Sequence, residues 1–391
     1  MQINQLAGPL ILACRIMKPV IFQTPEPLFN SKITDLVMDI DYLRRKETIV
    51  TTDPFIYNQL RNIFLDLDAM SSARVDGNKT GLSKYLEAKD DDPESKGRKT
   101  VEIDKVSQTM RFLDKNINET VFNQSFFTEL HKTIREGITN ESSRFAGKYR
   151  HSPARPDLPL NTSPAFHLVE TCMDKLISYL NKKESPKFDA IKSIYAHQRL
   201  LWIHPFREAN GLIARLVTYA MLRQQGFGGV ADRIINPTFS FCRDPEKYIK
   251  LMRRADSERE KDVSAFIEFA LEGLKNDMIR MDRLLNYETI KEDILKPAFK
   301  HPLFDRVFGE QDRLIIDIAI EKQVIQAADI RLFFPQKHPT EISKMLKWLR
   351  DKEMIIGLDE HARKYAINLE NKYLVKLVVG KLERAGFIPF T

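Results

Sequence analysis

From about Pro54 the apolar positions recur at three- and four-residue steps, with Ile56, Leu60, Ile63, Phe64, Leu67 and Met70 on one face, and this spacing predicts an amphipathic helix. The pattern runs into Ser71-Ser72-Ala73-Arg74-Val75-Asp76-Gly77-Asn78, where Gly77-Asn78 supplies a stop. Ahead of it, residues 1–50 mix Pro19, Pro25 and Pro27 with short apolar runs and read as an N-terminal arm packed onto something larger. Residues 89–99 are charged without apolar anchors and predict an exposed loop. A second helical block covers 101–137. Residues 144–166, broken by Pro153, Pro156, Pro159 and Pro164, predict a strand pair or an ordered flap. Helical periods return over 167–180, 188–203, 212–225 (ended by Gly226), 245–255 and 263–286.

The pattern changes after residue 300. Helices are predicted over 311–320, 326–333 and 339–351, the last with Ile342, Met345, Leu346 and Leu349 on one face. Two short apolar runs, 354–357 and 364–369, then flank a polar turn. Three helices followed by a hairpin is a winged-helix order. Lys344, Lys347 and Arg350 fall at helical spacing on the candidate recognition helix, with Arg363-Lys364 on the wing. They read equally as a DNA contact surface or as the solvated face of a domain that docks proteins or dimerises.

A chain of 391 residues can bury a large core in two or three domains. Its net charge of +7 permits an acidic partner but argues for one only weakly at this length. No apolar run approaches the roughly 18–20 residues that span a bilayer, and the first residues, without a basic lead-in, make a poor signal peptide. Cys14, Cys172 and Cys242 are scattered without metal-ligand spacing, so a reducing cytoplasm is the expected location.

Candidate chemistry concentrates in His204-Pro205-Phe206-Arg207-Glu208-Ala209-Asn210-Gly211-Leu212-Ile213-Ala214-Arg215. Pro205 takes the chain out of helical geometry, so His204 can project from a loop as a base working near neutral pH. Glu208 is a hard oxygen ligand suited to Mg²⁺ shared with phosphates. Asn210-Gly211 opens a helix whose first N–H groups and dipole favour an anion. Arg215, one turn further on, can lay a guanidinium against a phosphate. Each residue alone would read as structural; their joint spacing points to chemistry on a nucleotide phosphate.

This segment resembles the core motif of the Fic (filamentation induced by cAMP) family, H-P-F-x-[D/E]-[G/A]-N-G-R-x-x-R, with Leu212 in place of the first arginine. Ala196-His197 is similar to the family's upstream helix, and Gly147-Lys148-Tyr149-Arg150 to the start of its flap. Arg243 and Tyr248 fit a later segment, where Cys242 and Ile249 replace an asparagine and a second tyrosine. In all, the resemblance covers roughly residues 50–290. It implies a mainly α fold, a Fic-type helical bundle with a small β-hairpin flap, followed by a winged helix-turn-helix domain. The implied organisation is an arm over 1–50, an inhibitory-helix region with its loop over 51–100, a catalytic core over 101–299 and a winged helix over 300–391.

The implied activity is transfer of AMP from ATP to a Ser, Thr or Tyr hydroxyl of a protein target. His204 would be the base and Glu208 the Mg²⁺ ligand. Glu208, Ala209, Asn210, Gly211, Leu212, Ile213, Arg215 and Tyr248 would line the nucleotide. The family also has an inhibitory motif, [S/T]-x-x-x-E-[G/N], which Ser72 through Gly77 resembles with Asp76 for the glutamate. The implied brake pairs Asp76 with Arg215, with Ser72 holding Asp76 in place. Because aspartate is one methylene shorter, this pairing is expected to be weaker or to pass through water. Leu212 removes one phosphate cation, worth about 1.5–3 kcal/mol for a charged hydrogen bond. The rival expectation is a nucleotide-sensing DNA-binding transcriptional regulator with a weak or inactive Fic domain, reading DNA through residues 300–391. A homodimer is implied by resemblance alone.

Overall fold

The computed structural model describes residues 21–88, 95–138, 144–154, 163–229, 231–302, 304, 308–358 and 363–388. The fold is mainly helical, with one small sheet. Helix α1 (Lys32–Arg45) lies on the outside; α2 (Pro54–Val75), α3 (Leu82–Ala88), α4 (Arg98–Lys115), α5 (Gln124–Arg135), α6 (Val169–Asn181), α7 (Asp189–Ile203) and α8 (Asn210–Gln224) follow. Then come α9 (Pro237–Cys242), α10 (Pro245–Ala255) and α11 (Glu260–Asp282).

The amphipathic period of α2 understates its position. Asp53 caps it by accepting the Phe55 N–H at 2.9 Å, Pro54 fills the first turn, and from Ile56 to Ala73 it is buried on nearly every side. A helix covered all round is central, and α2 packs on α4, α8 and α9. Helices α7 and α8 pack on each other and are equally enclosed. Gly226, with φ +76°, follows α8 at the predicted stop. Helix α8 itself starts at Asn210, two residues before the periodic pattern does. Helix α1, inside the predicted arm, rests on α11.

Of the expected strand pair or ordered flap, residues 144–154 and 163–165 carry no strand, and 155–162 lie outside the described residues. Residues 89–94 of the charged loop, the tip of the wing at 359–362 and Cys14 also lie outside them.

Two short helices, α12 (Tyr287–Thr289) and α13 (Lys296–Phe299), joined by a π-helical turn, lead to the C-terminal unit. That unit runs α14 (Glu310–Lys322), β1 (Val324–Gln326), α15 (Ala327–Arg331), α16 (Pro339–Asp351), β2 (Ile355–Gly357), β3 (Lys364–Ile367) and α17 (Leu374–Arg384). Its antiparallel sheet has the order β1-β3-β2, with Ile325 opposite Tyr365 and Ile356 opposite Ala366. The hairpin is the one the apolar runs predict. Strand β1, three residues long, is too short to leave a period.

Helix α2 is tied to this unit. The Gln59 side chain donates to Ile367 O at 2.9 Å and accepts from the Leu369 N–H at 2.8 Å. Asp53 N–H donates to Gln323 Oε1 at 2.6 Å, and Asn62 Nδ2 to Glu370 Oε1 at 2.7 Å.

Candidate active site

Helix α7 ends in a loop, 204–209, bracketed by two non-glycine residues in the left-handed region, His204 (φ 51°) and Ala209 (φ 61°). Such residues cost on the order of 1–3 kcal/mol each and persist where the surroundings over-determine them. Three devices do so here. Asn210 closes the loop, accepting the Phe206 N–H and donating to Phe206 O, both at 2.9 Å. Arg150 clamps it from outside: Nε donates to His204 O at 2.7 Å, Nη2 to Ile203 O at 3.2 Å and to Pro164 O, and its N–H to Pro205 O at 2.8 Å. The His131 ring of α5 stacks on Phe206 at 4.0 Å, while its Nδ1 accepts the Gly147 N–H. Burial, with the charge of Arg135, lowers the His131 pKa to about 4, so this imidazole is neutral and acts as a packing plate.

His204 is buried within this loop. Glu208 Oε2 meets Arg135 Nη2 of α5 at 2.9 Å; the guanidinium is 3% exposed and the carboxylate 34%. No group of three or more His, Cys, Asp or Glu able to hold a metal occurs among the described residues.

Arg215 is enclosed on α8. Nε donates to Ser72 Oγ at 2.7 Å, and Nη2 to Ser72 O at 3.0 Å. Asp76 Oδ2 pairs with Nη2 at 2.8 Å. Burial is the largest single influence and works against the charge on Arg215, but the surrounding groups, Asp76 first among them, together outweigh it, so the guanidinium is held above its ordinary pKa. The contact is direct rather than bridged by water. Ser72 grips the arginine rather than Asp76, a correction to its expected role: its hydroxyl and carbonyl both face Arg215. Gly211 explains how the short side chain reaches. A Cβ there would lie 2.6 and 2.7 Å from the two Asp76 oxygens, so only glycine leaves the carboxylate room on the first turn of α8. The Asp76 carboxylate thus lies against the first turn of α8, where the sequence expects an anion.

Tyr248 is fully buried, and its hydroxyl meets His197 Nε2 at 2.8 Å. His197 Nδ1 is 2.9 Å from Thr218 Oγ1, and the ring stacks on Phe241. Burial and the nearby Arg215 charge lower the His197 pKa to about 3. Tyr248 thus sits enclosed among His197, Phe241 and Phe266. Leu212 and Ile213 point into the core, leaving only their backbone to the site. His204, Glu208, Asn210, Gly211, Arg215, Ser72 and Asp76 are brought to one junction. Arg150 and Arg135 went unread as site residues; the signal for Arg150 was its place in the Gly147–Arg150 segment, and Arg135 left none.

The matched segment decides what kind of domain this is. Residues 121–222 are a Fic/DOC family domain. That Fic domain runs from just before α5 to near the end of α8 and holds the whole 204–215 junction. Members of the family commonly transfer a nucleotide monophosphate to proteins. No curated protein matches the chain. Among solved structures, a Fic family protein from Desulfovibrio desulfuricans G20 is 18% identical, with a TM-score of 0.53, over 88% of this chain and 98% of its own. A Fic domain containing signaling protein from Bacteroides thetaiotaomicron VPI-5482 is 18% identical over 65% of this chain and 98% of its own, with a TM-score of 0.49. A segment of Fic-1 from C. elegans is 18% identical over 64% of this chain and 70% of its own, with a TM-score of 0.49. The first of these supports the fold over most of the chain. No helix among the described residues is long and apolar enough to cross a membrane.

Proposed function

We propose that this chain is a protein adenylyltransferase that moves AMP from ATP to a Ser, Thr or Tyr hydroxyl of a target protein, and that α2 restrains it. The observation that carries this reading is the Asp76–Arg215 pair, seated on the first turn of α8 beside the His204 loop. An acidic side chain on a helix N-terminus next to a buried arginine fills the place of a phosphate.

With that place open, His204 accepts the proton of the target hydroxyl as its oxygen bonds to the α-phosphorus. The bond to the leaving pyrophosphate breaks, giving an AMP ester. The N–H groups at the start of α8 take the anionic oxygens, and Arg215 pairs with the terminal phosphate. Positioning and charge neutralisation supply most of what such a displacement needs. Glu208, half-exposed beside these N–H groups, suits one protein ligand of a Mg²⁺ completed by phosphate oxygens and water. Such an ion neutralises phosphate charge when bound.

The test is incubation of the full chain with Mg²⁺ and ATP labelled at the α-phosphate. Asp76→Gly should transfer label to protein well above the unaltered chain, and Asp76→Gly with His204→Ala should transfer none. No label in any variant despite bound ATP would reject the enzyme reading.

A second reading, a nucleotide-sensing DNA-binding regulator, is favoured by the exposed Lys344, Lys347 and Arg350 along α16, with exposed Arg363 beside β3. A salt-dependent shift of duplex DNA by the full chain, lost on Lys344→Glu with Lys347→Glu, would support it.

A further inference from the structure

We propose that Arg135 is the second cation of the phosphate site and supplies the charge that Leu212 does not. This rests on the reading of the junction as a nucleotide site. From α8 the site receives only Arg215, because Leu212 is turned into the core at 2% exposure. Helix α5 delivers Arg135 from the other side. Its guanidinium is 3% exposed yet sits 2.9 Å from Glu208, whose carboxylate is 34% exposed, so the pair stands at the boundary between core and opening. The arm is set in place before any ligand arrives: one turn earlier on the same helix, His131 is stacked on Phe206 and held by the Gly147 N–H. A buried, preorganised arginine paired to the loop just ahead of α8 is in position to take phosphate oxygens by a planar fork. Glu208 fixes its orientation, which makes Glu208 and Arg135 one functional pair.

The test is calorimetric titration of full-length Asp76→Gly, with and without Arg135→Met, against ATP and adenosine at saturating Mg²⁺. Methionine keeps the aliphatic volume and removes the charge. A cation on the phosphates predicts that Arg135→Met weakens ATP binding about tenfold or more while adenosine binding stays unchanged. Equal loss for both ligands, or no loss for either, would assign Arg135 to the fold alone and overturn the inference. Failure of Asp76→Gly itself to bind ATP would overturn the nucleotide reading instead, so the two failures are distinguishable.

A different set of contacts carries a second inference: the geometry points to the C-terminal unit as the holder of the brake. This rests on α2 acting as an inhibitory helix. The helix whose last turn carries Ser72 and whose cap is Asp76 is one continuous element of 22 residues, and its start is fastened to β3 and the residues after it through Gln59 and Asn62, and to Gln323 just ahead of β1 through Asp53. A rigid helix held at both ends transmits displacement, so loosening the Gln59 end releases Asp76 at the other. Gln59→Ala should raise ATP affinity several-fold towards that of Asp76→Gly, and Gln323→Ala should move it the same way. In the Asp76→Gly background, Gln59→Ala should add nothing. Unchanged ATP affinity in both single variants, or the same increment with and without Asp76, would overturn it.

Discussion

At Gly211 a single hydrogen decides whether the brake fits. A methyl group there would meet both Asp76 oxygens and, at 3.0 Å, Arg215 Nη1. Gly211→Ala is therefore expected to push the carboxylate off Arg215 and leave two buried charges poorly paired, at about 1–3 kcal/mol, read as a lower Tm. A second residue-scale prediction concerns Asp277, whose Oδ2 accepts the Asn236 N–H and whose carboxyl burial pushes up to about 7. The folded state then holds a proton that an unfolded aspartate, with a pKa near 3.9, releases. Stability should fall as pH rises from about 4 through 7, by on the order of 1–3 kcal/mol from this group. Asp277→Asn should flatten that slope in denaturant titrations at pH 5 and pH 8; an unchanged slope would reject the assignment.

The candidate site residues were legible because their spacing is local: His204, Glu208, Asn210, Gly211 and Arg215 lie within one short run and meet at one turn. Arg135 was not, because its partner is 73 positions away and nothing in the periodicity of α5 marks it. The enclosure of Tyr248 was not legible for a related reason. Burial depends on what α9 and α11 place over it, which no single segment reveals.

Among the elements, the 204–209 loop depends most on a distant side chain. Arg150 satisfies carbonyls of Ile203, His204 and Pro164 that would otherwise be buried without partners. Arg150→Ala should cost about 2–4 kcal/mol and depress label transfer more than the loss in Tm explains, since His204 would leave its left-handed position. Retained transfer with a lowered Tm would show that the clamp serves the fold and not the loop. The longer central helices were readable from three- and four-residue spacing, whereas α1, α3, α9 and α17 were not. The depth of α2 was not, because its interior polar positions read as a solvated face: Asp66 and Asp68 are paired inside, Asp66 with Arg111 and Asp68 with Thr238.

Over the whole molecule, two features at opposite ends of the sequence meet on α2: Gln59 with the strand that ends at Ile367, and Asp76 with α8. Periodicity found α14 to α16 and the hairpin but not α17, and it could not show this contact, since backbone carbonyls carry no sequence signature. On the proposed function, Asp76 holds the arginine and the helix start that a nucleotide phosphate would use. Calorimetric titration of the unaltered chain and of Asp76→Gly with ATP and Mg²⁺ tests it most directly. ATP should bind Asp76→Gly about tenfold more tightly or better, with no such difference for adenosine. Equal ATP affinities in the two proteins would contradict it.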